Sequence, residues 1–242
     1  MRAMPRASSA RVGNAVIARE LLGTAPVPDS GRDGEELRLF RHGRDHMIVL
    51  GSNELMNTRQ SGSEEALATL TCARLTGRKA PHLLIGGYGM GFTLRAALGV
   101  LDGKARLTVA ELVPQIIDWA RGPMAELTGT CLDDPRVRLI EDDVAALILA
   151  GQGTYDAILL DVDNGPDGLT RAANSKLYSM RGLHTAREAL TPGGVLAVWS
   201  AARDPAFTRR LGDARFTVEE VPVRARSNGK GAHHTIWLAT AP

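Results

Sequence analysis

The chain has 242 residues, 44% of them hydrophobic, with 29 Lys and Arg against 27 Asp and Glu and a formal charge of +2. That length accommodates one α/β domain with a small addition, and the apolar share suffices for a sizeable core. The balanced charge leaves no electrostatic footprint for nucleic acid, and the apolar runs fall far short of the roughly 20 residues that span a bilayer, so the expected partners are small molecules.

In chain order, residues 1–30 read as a flexible or helical segment, rich in arginine and ending in the breaker-rich run Thr24-Ala-Pro-Val-Pro-Asp-Ser-Gly. Residues 31–60 read as a small β appendage, because Glu36-Leu-Arg-Leu-Phe and His46-Met-Ile-Val-Leu are β-prone runs joined through a turn. Residues 61–242 then form the main domain. Leu67, Leu70, Ala73 and Leu75 sit near helical spacing behind Ser61 and Ser63, which predicts a helix over 64–76. Strands at 83–86, 106–110, 137–140, 155–160 and 194–199 alternate with helices at 91–100, 114–121, 143–150 and 178–190. Such alternation predicts a doubly wound, mostly parallel sheet covered on both faces. Phe216-Thr-Val-Glu-Glu-Val and Thr235-Ile-Trp-Leu-Ala add a finishing antiparallel hairpin and bring the sheet to seven strands. Cys72 and Cys131 have no metal-ligand spacing, so no metal site is expected and a reduced, cytoplasmic setting is.

The first strand of this alternation runs into Gly-Gly-Tyr-Gly-Met-Gly, in which Gly87, Gly89 and Gly91 open a helix whose N-terminus faces any bound ligand. A dinucleotide fingerprint would carry glycine where Phe92 stands, and no Gly-Lys-Ser/Thr of a P-loop is present. Met90 between the glycines is neither an acid nor a phosphate-seeking lysine. Glu111 lies 20 residues beyond Gly91 at the tip of the second strand, where a ribose-binding acid belongs, although a carboxylate at a helix start beside Pro114 has the same spacing. Asp142 and Asp143 follow the third strand. They suit an adenine amino group, with the ring between Leu112 and Val144, and Asp143 equally suits an N-cap. Asp161 follows a buried strand directly, has no helix to cap, and is the candidate catalytic residue. His233 and His234 read as structural or surface histidines, one of them turned inward by strand alternation, and Trp119 and Trp199 as core aromatics.

Residues from about 46 to 199 resemble the spermidine synthase family, the polyamine aminopropyltransferases, which share the Rossmann-like class I S-adenosylmethionine methyltransferase fold. The resemblance rests on Leu50-Gly-Ser-Asn-Glu-Leu-Met-Asn-Thr, the glycine turn, Ala110-Glu-Leu-Val-Pro, Asp133-Asp-Pro-Arg-Val, Asp142-Asp143, Tyr155-Asp-Ala-Ile-Leu-Leu-Asp, Leu177-Tyr178 and Leu190-Thr-Pro-Gly-Gly-Val-Leu. It implies a homodimer and an S-adenosylmethionine-type cofactor held by Gly87, Gly89, Met90, Gly91, Glu111, Leu112, Asp142, Asp143, Val144 and Asp161. It also implies a small amine acceptor held by Glu65, Asp163, Asn164 and Tyr178. Two departures stand out. Met90 replaces the family's first-turn acid, and the same turn, with Gly91-Phe-Thr-Leu, is similar to that of putrescine N-methyltransferase. Asn164 replaces a second acid of the acceptor site. The expectation is therefore methyl transfer from S-adenosylmethionine to a small amine. The alternatives are aminopropyl transfer from decarboxylated S-adenosylmethionine and a catalytically silent nucleoside-binding protein.

Overall fold

The structure, a computed structural model, describes residues 18–28, 36–162 and 175–242. Strands β1 (Glu20–Pro26), β2 (Glu36–His42), β3 (Asp45–Leu50) and β4 (Asn53–Asn57) form an antiparallel sheet in that order. The sequence pattern predicts only the β2–β3 hairpin and leaves β1 in a flexible or helical segment. Local irregularity accounts for the difference: the pairing of β1 with β2 shifts register between Leu21 and Gly23, and that of β3 with β4 between Ile48 and Val49. A shifted register breaks the two-residue alternation by which a strand is recognised. Gly23 also brings β1 hard against its neighbour, since a Cβ there would lie 2.6 Å from the Trp119 indole nitrogen.

The main sheet is fed by α1 (Gly62–Arg74), β5 (His82–Gly86), α2 (Phe92–Val100), β6 (Arg106–Ala110), α3 (Pro114–Arg121), α4 (Ala125–Thr128), β7 (Val137–Ile140), α5 (Val144–Ala150) and β8 (Tyr155–Leu160). It is completed by α6 (Met180–Ala189), β9 (Leu190–Ser200), α7 (Pro205–Asp213), β10 (Thr217–Arg224) and β11 (His233–Thr240). Its seven strands run in the order β10-β11-β9-β8-β5-β6-β7, with β5 to β9 parallel and β11 antiparallel to both β9 and β10. The fold is thus the doubly wound, mostly parallel sheet read from the sequence, with a separate small N-terminal sheet.

Central β5 shows why the layers hold. Leu83 and Ile85 belong to one core and Leu84 to the other, all fully buried, as period-two side chains of a strand covered on both faces must be. Each such burial contributes about 1.5–3 kcal/mol. At the start of the strand Asp156 accepts from His82 N (2.8 Å) and Thr191 Oγ1 (3.0 Å) and pairs with Arg78, which locks β5, β8 and β9 together at the end away from the site. The sequence reading missed α7, yet its signal is present. Asp204 caps it by accepting from Ala206 N (2.8 Å) and Phe207 N (3.0 Å), and Pro205 occupies its first turn.

Candidate active site

Strand order reverses at β5, whose neighbours are β6 on one side and β8 on the other, so a cleft opens at their carboxyl ends. The glycine turn lines it. Gly87 N donates to Ala110 O (2.9 Å) and Asp161 N to Gly86 O (3.3 Å), which ties the turn to β6 and β8. Gly87 has φ +85°, and a Cβ there would meet the Asp161 carbonyl oxygen at 2.9 Å. Gly89 has φ +56°, and its Cβ would meet Met56 Sδ at 2.8 Å. Glu111, only 5% exposed, accepts from Tyr88 N (2.8 Å) and Val113 N (2.9 Å), so it braces the turn from the tip of β6. Burial raises its pKa, and these main-chain donors pull it back down.

Gly87, Gly89, Glu111, Leu112, Asp142, Asp143, Val144 and Asp161 all line this first cavity. Its opposite wall is the small sheet, through Leu37, Ile48, Leu50 and Met56. Asp143 Oδ1 accepts from Ala145 N (2.9 Å) as the N-cap of α5, and Asp142 Oδ1 from Asp143 N (2.7 Å). Met90 is buried to 1% exposure and faces a narrow recess behind the turn, shared with Met56, Glu64, Thr93 and Asp161. Gly91 caps α2 instead, with φ +74°.

A second cavity of ≈ 230 Å³ adjoins the first. Glu54, Asn57, Gln60, Glu64, Asp161, Trp199 and His234 are among its lining residues, and no described Lys or Arg is. Asp161 borders both cavities and the recess. Burial pushes its carboxyl up to about 7. Glu64 is also raised well above the carboxylate range, chiefly by burial and then by repulsion from Asp161 and Glu65, and its buried Oε2 has no partner among the described residues. His234 Nδ1 lies 2.8 Å from Ser63 Oγ, and its ring meets Trp199 edge-on at 4.8 Å.

Among the residues expected to hold an acceptor, Glu65 does not line the second cavity, whereas its neighbour Glu64 does. Tyr178 is 3% exposed, packs edge-on against Phe207 at 5.7 Å in the core, and is not among the described residues lining either cavity. Asp163 and Asn164 lie outside the described residues. Glu54, Glu64 and His234 escaped the sequence reading as site residues, although strand alternation does turn one of the paired histidines inward. No described helix is long and apolar enough to cross a membrane.

No family profile matches the chain. A polyamine aminopropyltransferase of Corynebacterium efficiens is 29% identical over 194 residues, 78% of this chain and 36% of the relative. Polyamine aminopropyltransferase 1 of Streptomyces coelicolor is 33% identical over 126 residues, 50% of this chain and 23% of the relative. The matched stretches thus span well under half of these relatives. Among solved structures, spermidine synthase from Thermotoga maritima superposes with a TM-score of 0.70 at 17% identity, covering 92% of this chain and 73% of that one. A spermidine synthase in complex with the transition-state analogue AdoDATO gives 0.69 at 17% identity, covering 92% and 72%. These structural likenesses establish a shared Rossmann-like fold.

Proposed function

We propose that the chain moves the aminopropyl group of decarboxylated S-adenosylmethionine onto a small amine, with Asp161 receiving the amine between a donor cleft and an acceptor cavity. The observation that carries this reading is the position of Asp161 on the shared wall of an apolar cleft and an acid-lined cavity. The cleft fits an adenosyl group: its walls are largely aliphatic, acids stand at its rim, and at positions 87 and 89 the backbone approaches so closely that a Cβ would intrude. When bound, the sulfonium supplies an activated carbon. The N–C bond forms as the C–S bond breaks, its electron pair stays on sulfur, and 5′-methylthioadenosine leaves.

An ammonium has no lone pair, so the attacking nitrogen must first lose a proton. Asp161, with its pKa near 7, is matched to accept it close to neutral pH, and Glu64, which burial holds toward its neutral form, lines the same cavity. Glu64 and Asp161 also share the recess beside Met90, so a propylammonium arm meets carboxylates there although the turn itself offers none. The names of the curated relatives support the same reading. Methyl transfer from S-adenosylmethionine is the second reading. It is favoured by Met90, because a turn with no acid gives up a charge-assisted hydrogen bond worth about 1.5–3 kcal/mol.

Turnover with each donor and a panel of small amines, followed by mass spectrometry, tests the assignment. Methylthioadenosine is expected from the decarboxylated donor. Release of S-adenosylhomocysteine from S-adenosylmethionine instead would establish the second reading, and release of neither would sink both.

A further inference from the structure

We propose that Tyr88 is the positioning residue of the donor turn: its ring, braced against Cys131 outside the cleft, holds the glycine backbone in the shape that receives the adenosyl group and so sets donor affinity. The inference rests on the adenosyl-donor reading above and adds to it a residue that is not among those lining the donor cleft. Gly87, Gly89 and Gly91, with φ of +85°, +56° and +74°, give the turn its shape and also the freedom to lose it. Main-chain bonds secure its two ends, from Gly87 N to Ala110 O at 2.9 Å and from Arg95 N to Gly91 O at 3.0 Å. Between them Tyr88 supplies three ties. Its N donates to Glu111 (2.8 Å), its O accepts from Gly91 N (2.8 Å), and its side chain, 4% exposed, places the hydroxyl 3.4 Å from Cys131 Sγ. The ring lies directly against Gly91, where a Cβ would meet the phenol oxygen at 2.8 Å and the ring at 3.0 and 3.3 Å. Gly91 therefore cannot shift to that side without displacing the tyrosine.

The far anchor belongs to another element. Cys131 follows α4, whose last residue, Thr128, is 2% exposed and donates through Oγ1 to Ala120 O at 2.7 Å, joining α4 back to α3. Burial, above all, raises the pKa of the phenol, so the hydroxyl keeps its proton and can donate to the sulfur. Cys131 is half-buried and is not among the described residues lining either cavity or the recess. The turn is thus clasped from behind before a donor arrives. Fixing the backbone of one residue in advance is worth roughly tenfold in a binding constant.

The test is calorimetry on the full chain with 5′-methylthioadenosine. Tyr88→Leu keeps an apolar side chain that is too short to reach Cys131, and should weaken binding roughly tenfold, whereas Tyr88→Phe, which keeps the ring, should stay within about threefold of the wild type. Amide exchange followed by NMR adds a readout that a merely structural role would not move. In Tyr88→Leu the amides of residues 88 and 91 should exchange faster, while those of Leu84 and Val109 in the neighbouring strands keep their wild-type rates. Wild-type affinity in Tyr88→Leu, or exchange that quickens equally in the strands, would overturn the proposal. Should that variant not fold, the wild type gives the answer, because coupling between the cleft and Cys131 is reciprocal. Filling the cleft should slow alkylation of Cys131 by iodoacetamide about threefold or more, and an unchanged rate refutes the assignment. A wild type that does not bind methylthioadenosine refutes the donor reading and this inference with it, whereas binding that survives in Tyr88→Leu refutes this inference alone.

Discussion

Asp161 combines partial burial with a place on two cavities, and both follow from its position one residue beyond a strand covered on both faces. Asp161→Asn removes the proton acceptor and keeps the shape, so turnover at saturating donor should fall roughly tenfold or more; unchanged turnover would dismiss the catalytic assignment. Linkage supplies an independent check in the absence of ligand. In the unfolded chain this carboxyl titrates near about 3.9, whereas in the folded chain it titrates at about 7. The folded protein therefore holds a proton that the unfolded one has lost. The corresponding stability is full below about pH 4 and is lost as pH rises through about 7. The melting temperature of the wild type minus that of Asp161→Asn should accordingly shrink from pH 5 to pH 8. The difference is the proper readout because His82 and His234, whose pKa values burial lowers, tilt the absolute curves the other way as pH falls. Glu64 marks the limit of legibility at this scale. The sequence shows two adjacent acids on a helix, but successive residues point about 100° apart, and which of them faces the cavity depends on how α1 is rolled against the sheet.

Among the elements, the strand–turn–helix formed by β5 and α2 was the most legible, since left-handed glycines and an acid after β6 are local features with local spacing. The role of that acid was less so. Glu111 reads either as a ribose ligand or as a carboxylate at a helix start, and in the structure its carboxylate accepts from Tyr88 N of the turn and from Val113 N at the start of α3, which fits the second role and does not test the first. The two glycines should respond differently to substitution. Gly87→Ala incurs the left-handed cost of about 1–2 kcal/mol and also drives Cβ into the Asp161 carbonyl, which is fixed by the sheet. Gly89→Ala incurs the first cost, but its new neighbour is the thioether tip of Met56, which can swing aside. Urea unfolding should therefore show the larger loss for Gly87→Ala, together with a loss of donor affinity; equal losses would mean that the turn is not clamped by β8. The Asp133-Asp-Pro-Arg-Val block, one of the most family-specific stretches of the resemblance, does structural work here. Arg136 pairs with Asp134 and donates to Leu101 O at 2.8 Å, which fastens the end of α2 to the approach of β7.

At the scale of the whole molecule, the seven-stranded sheet was readable because alternating strands and helices leave few topologies. The small sheet was readable as a β appendage, but its place was not, because that is tertiary: it forms one wall of the first cavity. Ile48, 1% exposed, both fills its core and lines that cleft. Ile48→Ala should cost about 2–5 kcal/mol in urea unfolding and weaken calorimetric binding of 5′-methylthioadenosine. Binding untouched by the variant would show that the small sheet is only an attachment. The paired histidines were visible in the sequence, yet only the interleaving of β11 between β9 and β10 reveals what His234 touches. That interleaving also bears on how the molecule comes into being. β11 is the last described strand to leave the ribosome, and until it is made neither β10 nor the outer edge of β9 has its partner. Nascent chains stopped before Gly231 would present the open edge of β9, an adhesive surface for other unfinished chains, in place of a finished second cavity.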